Sequence, residues 1–400
     1  TFFKEETYDL CSEFQTDMLS TQSFCYLLDF IQQHNAELVR KISIPDFNNT
    51  TDRVVLANHT LKQLNIIDDN IMESTQYGRL SSVLTMLNKC STSMGKRKFQ
   101  YQLTNPVFDI NWLNNEYVMT EMLLSDDYYH FVETFRKQLK NVRDMEKICR
   151  QLVVKKIYPV SIYHLYSSVN IIQQINVCMA ETHEFGRYLT DGLHSDDIGS
   201  NQFIESETET IIQFLNKHFV LENCKNISSM TTFPENIIRS GISNELDSLI
   251  NKYTDTKQEF DTTKQYLNMI MQKYEKGDTD YIRVHETEKS GAFLQITTKR
   301  SQLLKANMEK YESNINSNAT ILPPIYSKDI KFVKSTASNV TIESSTLNSI
   351  IKKIFVYKDE INKMITCVYL QVISSLVETH FQTLERLSEF TSKLDVILCK

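Results

Sequence analysis

From Leu246 the apolar positions advance in alternating steps of three and four: Leu249, Tyr253, Thr256, Phe260, Thr263, Leu267, Ile270 and Tyr274, with threonine twice in place of a hydrophobe. That spacing lays one narrow stripe along one face of a long helix. Asn244 is placed to cap its start, Asp247 to sit at the third helical position and Gly277 to stop it. The spacing returns in Leu347, Ile350, Ile354, Tyr357, Ile361, Met364 and Val368, and neither Gly nor Pro occurs in 344–400. At 1.5 Å per residue the first helix is roughly 45–50 Å long and the second up to roughly 80 Å. A narrow stripe needs a partner, and each helix offers one to the other. The pattern predicts an antiparallel pair of arms with a small domain at the tip.

Between the arms the period falls from about 3.5 to 2. Tyr281-Ile282-Arg283-Val284-His285 alternates, and so does the run from Gly291 to Lys299. Ile330-Lys331-Phe332-Val333-Lys334 and Asn339-Val340-Thr341-Ile342 follow, with Pro323-Pro324 among the bounding turn residues. A strand ends near Lys299-Arg300, where a polar turn or helix begins, and Ser301 adds a neutral donor.

Upstream, Phe24, Leu27, Leu28 and Ile31 share a helix face ending near Asn35 or Val39, and 45–52 is a polar loop. Val54-Val55-Leu56-Ala57 reads as a short extended run, and Asp68-Asp69-Asn70 as a turn. Leu80, Val83, Leu84 and Leu87 form another helix stripe. Ser91 or Thr92 caps the next helix, which carries Met94, Phe99 and Leu103 and stops at Asn105-Pro106. A further helix starts near Ile110. The stretch 125–240 is helical, broken at Ile157-Tyr158-Pro159-Val160 and polar over 190–201.

Charge changes this picture at the tip. Eight Lys and Arg stand against three acids between Lys289 and Lys334, a net +5, in a chain of net charge −7. A basic tip on acidic arms suits contact with a polyanion, or is a solvated sheet surface. Four hundred residues, 41% hydrophobic and 23% charged, suit two or three soluble domains. Eight cysteines without a Cys-x-x-Cys pair read as reduced and intracellular. The most apolar run, 368–377, is far short of the ~20 residues of a membrane span. The chain lacks an initiator Met and ends inside a helical pattern, which reads as a segment of a longer protein.

Candidate chemistry is sparse. Gly95-Lys96 matches the end of a phosphate-binding loop, but Cys90 and Arg97 stand where that loop needs Gly and Ser/Thr. His183, Glu184, His194, Asp196 and Asp197 fit no metal-ligand spacing, and Asp68-Asp69 and Asp126-Asp127 read as turn and capping residues. No nucleophile–base constellation is present.

The order of motifs resembles the MutS mismatch-repair family over nearly the whole chain. Residues 56–66, with Thr60 and Leu64, resemble its Asp-Ala-Ala-Thr-x-x-Asn-Leu-Glu segment. Thr92, Met94, Gly95, Arg97, Asn105, Pro106 and Asp109 resemble its Thr-x-Met-Gly-x-Arg helix start and Asn-Pro stop. The run from Asn141 to Ile148 is similar to its Asp-Leu-Glu-Arg element, and Ser243-Asn244-Glu245-Leu246-Asp247 to its lever entry. Leu394-Asp395-Val396 resembles the element that ends the lever. Ala57, Asn65 and Phe99 depart from the family pattern, which places the chain on a divergent branch.

The resemblance implies a mainly α fold: a helical core with long antiparallel lever helices carrying a small β-rich clamp domain at the tip. It divides the chain into a connector end (1–50), core (51–244), ascending lever (245–276), clamp (277–343) and descending lever (344–400). It further implies double-stranded DNA as partner, a homo- or heterodimer with another MutS-like subunit, and no membrane. The clamp cations Lys289, Lys299, Arg300, Lys305, Lys331 and Lys334 are the expected phosphate contacts. Thr92, Met94, Gly95, Arg97 and Pro106 form the expected structural core motif. This segment holds no catalytic site, metal or cofactor on that reading; ATP and Mg belong to an ATPase domain of the parent protein, a DNA-dependent ATPase. The rival readings are a MutS relative acting in recombination or genome maintenance without mismatch reading, and a helical partner-binding scaffold.

Overall fold

The computed structural model describes residues 3, 14, 18–40, 42, 53–54, 56–67, 81–179, 182–191, 193, 199–274, 280–287, 291–315, 324–335 and 338–400. The expectations for 45–52, Val55, Asp68-Asp69-Asn70, Leu80, His194, Asp196, Asp197, Gly277, Lys289 and Pro323 lie outside them. The fold is mainly helical with one small antiparallel sheet. The chain packs as two compact units. One comprises Thr1–Met230, Pro234–Ile237 and Tyr369–Lys400; the other comprises Thr231–Phe233 and Ile238–Val368.

In the first unit the helices are α1 (Met18–His34), α2 (Asn58–Gln63), α3 (Val83–Leu87), α4 (Ser93–Thr104), α5 (Ile110–Leu124), α6 (Tyr129–Leu139), α7 (Met145–Val153), α8 (Pro159–Cys178), α9 (His183–Thr190), α10 (Ser200–His218) and α11 (Leu221–Cys224). Local chemistry sets their ends. Thr92 caps α4 and accepts Gly95 N–H, Asp109 caps α5 and Asp144 caps α7. Asn105 ends α4 because Pro106 disfavours helical backbone before it. Pro159 does not merely break the chain: it is the first residue of α8, where its missing N–H costs nothing. Of the extended run expected at 54–57, Ala57 has extended backbone and stands at the N-cap position of α2, and Arg53 makes an isolated bridge to Val107. Ile162, Leu165, Val169 and Ile172 of α8 are fully buried, as are Ile211 and Leu215 of α10.

The second unit holds α12 (Asn244–Tyr274), β1 (Arg283–Thr287), β2 (Gly291–Thr297), α13 (Thr298–Ile315), β3 (Lys331–Lys334) and β4 (Asn339–Glu343). It also holds the first part of α14 (Ser345–Cys399). The α12 stripe is buried at Leu246, Thr256, Phe260, Thr263, Leu267 and Ile270. Threonine is tolerated there because Thr256 and Thr263 return their hydroxyls to the Lys252 and Glu259 carbonyls, at 2.7 and 2.9 Å. The cap is Ser243, not Asn244: its hydroxyl accepts Leu246 N–H, and Asn244 is the first helical residue. Phe233 N–H donates to Asn362 Oδ1, while Leu267, Ile270 and Met271 near the end of α12 share a core with Leu347 and Ile351 at the start of α14. The two helices therefore run antiparallel.

The sheet order is β1-β2-β4-β3, all antiparallel, with Leu294 opposite Ile342 and Phe332 opposite Ile342 on its other side. Leu294, Ile296, Val340 and Ile342 face the core, where α13 adds Leu304 and Met308. Residues 298–315 are thus helix rather than sheet or turn. By length and composition alone α14 contains a window apolar enough to cross a membrane, longer than the run 368–377 suggested. Ile365, Val368, Tyr369, Val372, Ile373 and Leu376 within this helix are buried in protein.

Candidate nucleic-acid interface

The sheet has two ends, and they differ in charge. At one end β2 passes into α13, and the β3–β4 turn lies alongside: Thr298 N–H donates to Ser338 O at 2.9 Å, and Gln295 Nε2 donates to Ser335 Oγ at 3.1 Å. The sequence puts cations here because β2 ends in Thr297 and α13 opens with Thr298-Lys299-Arg300. Lys299 is exposed, and the Arg300 guanidinium lies 4.6 Å from the centroid of the Tyr281 ring, a stack that fixes its position. Lys334 closes β3 at the same end and is exposed. Ser301 does not act as an outward donor: it is buried, and its hydroxyl bonds Thr298 O at 2.8 Å.

The other expected contacts separate from this group. Lys305 lies six positions along α13 from Lys299, about 240° round the helix. Lys331 starts β3 at the opposite end of the sheet, about 10 Å from Lys334, and pairs across the ladder with Glu343. Lys289 lies outside the described residues. Arg283 is an exposed cation that the sequence reading did not select. It pairs with Gln295, at the same end as Lys299, Arg300 and Lys334. The alternation of Tyr281 to His285 is the signal that marks it, outside the basic window from Lys289 to Lys334.

In the first unit three segments distant in sequence converge on the start of α4. Ser91 N–H and Thr92 N–H donate to the Asp395 carboxylate at 2.9 and 2.7 Å, and the Thr92 hydroxyl donates to it at 2.6 Å. Asp395 is buried. The anion at this helix N-terminus is thus a carboxylate of the chain itself, favoured by the helix dipole. A Cβ on Gly95 would lie 2.2 Å from Asp395 Oδ2, so only glycine lets α14 approach so closely. Met94 is fully buried, with the Ser388 hydroxyl against its sulfur, and Pro106 is half-buried.

Arg97, on the exposed side of α4, grips the α7 cap. Its Nη1 and Nη2 donate to the two Asp144 oxygens at 2.8 Å each, and its Nε donates to Glu146 at 2.9 Å. The Asp144 bond first, and Glu146 with it, raises the guanidinium above its ordinary value. Burial acts to raise the Asp144 carboxyl, but Arg97 and the Lys147 N–H outweigh it and hold it below its ordinary value. A depressed carboxylate stabilises the fold above its unfolded pKa, near 4, and that contribution is lost as pH falls through the lower folded value. Because Arg97 is 42% exposed, solvent screening limits the effect. Arg97→Ala is expected to cost about 1 kcal/mol at pH 7 and distinctly less at pH 3. Urea midpoints at the two pH values check this; an equal loss at both would mean that packing, not the ion pair, is what was removed.

Among the described residues no three His, Cys, Asp or Glu side chains come together to hold a metal ion.

Against known proteins, the chain matches the MutS domain III description over residues 59–399. It is 22% identical over 382 residues to the mutS homolog L359 of Acanthamoeba polyphaga mimivirus, covering 94% of this chain and 33% of that protein. It is 20% identical to the DNA mismatch repair protein MutS of Borreliella burgdorferi over 383 residues, 94% of this chain and 37% of that one. A Clostridium botulinum MutS aligns at 22% identity over 85% of the chain and 34% of its own length. The chain spans about a third of the length of these relatives. With the family description matched across all but the first 58 residues and the last, the chain belongs to the MutS family, as a segment containing its domain III.

Proposed function

We propose that this segment of a MutS-like mismatch repair protein grips duplex DNA through its backbone phosphates, with Lys299, Arg300, Lys334 and Arg283 as the contact set. The position of these four cations at one end of the sheet carries the reading. Lys299 and Arg300 sit in the first turn of an 18-residue helix, where the dipole disfavours cations and favours an anion. A phosphate at that turn removes the conflict, accepting from both side chains and from the helix N-terminus. Contacts of this kind position a duplex without reading its sequence. In the parent protein, ATP and Mg would act in a separate ATPase domain, and a second MutS-like subunit would complete the ring around DNA inside the cell. α14, with residues in both units, is the element that would carry motion between clamp and ATPase.

Equilibrium binding of this chain to matched and mismatched duplexes across a salt series tests the reading. Each neutralised phosphate adds about 0.9 to the fall of log affinity with log salt. Three or four contacts give a slope of about −3 for both duplexes. A slope near zero, or no binding at low salt, would overturn the proposal.

A further inference from the structure

Two thiols meet where the last turn of α14 lies against the loop before α4. Cys90 is buried in that loop, and Cys399, partly accessible, is the last residue of α14. Both belong to one apolar cluster with Phe99 and Val396. Cys399 Sγ accepts Lys89 N–H at 3.0 Å and lies 3.4 Å from Leu87 O, while Cys90 Sγ lies 3.7 Å from Asp395 O. Cys399 Sγ thus lies against the backbone N–H of the residue before Cys90, and both side chains pack into the same cluster. The neighbouring Cys90 thiol first, then the Lys89 N–H and the Arg136 guanidinium, outweigh burial and Asp395 and hold the Cys399 thiol below its ordinary value. Arg136 is fixed there by its own bond from Nε to Leu398 O at 3.0 Å. Burial pushes Cys149 and Cys224 up to about 12, and the neighbouring Cys399 followed by burial raises Cys90 as well, so within the pair Cys399 is the thiol with thiolate character and Cys90 the protonated partner.

We propose that Cys90 and Cys399 form a reversible dithiol–disulfide pair, in which Cys399 is the nucleophile toward a peroxide and Cys90 is the resolving thiol. The Cys399 thiolate attacks one peroxide oxygen, the O–O bond breaks, and the departing hydroxide takes a proton and leaves as water. Cys399 is then a sulfenic acid. The Cys90 sulfur attacks that sulfur, the S–O bond breaks, and the hydroxyl leaves with the Cys90 proton as a second water. Two thiols and one peroxide give one disulfide and two waters, and a dithiol reductant reverses the change. Accessibility assigns the roles, because peroxide reaches the half-buried Cys399 before the buried Cys90. The disulfide ties the end of α14 to the loop that Asp395 already holds, locking that junction by a covalent bond.

The test treats the pre-reduced, folded 400-residue chain with hydrogen peroxide, quenches with N-ethylmaleimide and maps the peptides by mass spectrometry. The linked Cys90–Cys399 peptide is expected to appear before any other cross-link and to vanish with dithiothreitol. Cys90→Ser is expected to leave a Cys399 sulfenic acid that dimedone traps, and Cys399→Ser to leave Cys90 unoxidised and open to alkylation on unfolding. If Cys90→Ser does not fold, the parent map and Cys399→Ser decide. Recovery of both residues as alkylated thiols after peroxide would overturn the proposal. So would earlier cross-linking of the exposed Cys25 and Cys367.

Discussion

Gly95→Ala is expected to destabilise the helical unit by about 3–5 kcal/mol. The added Cβ would lie 2.2 Å from Asp395 Oδ2, 2.7 Å from its Cγ and 2.8 Å from its Cβ. Asp395 cannot yield cheaply. It is 2% exposed, and moving it breaks bonds from Ser91 N–H, Thr92 N–H and the Thr92 hydroxyl. Overpacking alone costs about 1–3 kcal/mol, and each buried donor left unpaired about 1–3 more, with partial relief as the loop relaxes. Asp395→Ala strands the same donors but empties the space that the new methyl needs. The double variant is therefore expected to be less destabilised than the sum of the singles, by at least about 1 kcal/mol. Urea unfolding of the four proteins followed by circular dichroism measures that coupling. Additivity within about 0.5 kcal/mol would mean that glycine is required at position 95 for some reason other than Asp395.

Periodicity read the elements well where one face is buried and another wet. The α12 stripe is buried at Leu246 and from Thr256 to Ile270 at the positions its spacing marked, with Leu249 and Tyr253 half-buried, and the period-2 runs are the four strands. Periodicity failed on α13, whose buried face mixes Ser301 and Asn307 with Leu304 and Met308 while Leu303 is exposed. A helix with so interrupted a stripe resembles a polar connection. Strand order was not legible either, because pairing β4 between β2 and β3 depends on contacts across an inserted helix. Capping was ambiguous by one residue at Ser91 or Thr92 and displaced by one at Asn244, where Ser243 is the cap, since neighbouring small polar residues suit a cap equally until the backbone chooses.

The resemblance supplied what local pattern could not. Thr92, Gly95 and Arg97, Asp144 and Glu146, and Asp395 were separate matches along the chain. In the fold they form one junction: Asp395 caps α4 from one side, and Arg97 extends from α4 to the α7 cap. No propensity or charge count links residues 92 and 395; only the tertiary structure shows why glycine stands between them. The second unit was less legible. Net charge found the basic region but could not rank its members, because rank depends on which end of a sheet each side chain occupies.

Replacing Lys299 and Arg300 together by alanine is expected to flatten the salt dependence of duplex binding by up to ~2 and to weaken matched and mismatched duplexes alike. The magnitude follows from two phosphate contacts at about 0.9 each. The Lys305→Ala and Lys331→Ala pair removes the same charge from elsewhere in the second unit. Lys305 points about 240° away around α13, and Lys331 sits at the far end of the sheet opposite Glu343. That control is expected to shift the slope by less than about 0.5, through the general field alone. Arg300 also stacks on Tyr281, so Arg300→Lys with Lys299→Gln serves as a milder pair that keeps one charge and removes the other. Its slope is expected to fall midway, at about 1 below the parent. Fluorescence anisotropy across a salt series gives all four slopes. Equal losses from the two alanine pairs would show that the duplex responds to total charge and not to this end of the sheet. A loss confined to one duplex would replace phosphate contact by base readout.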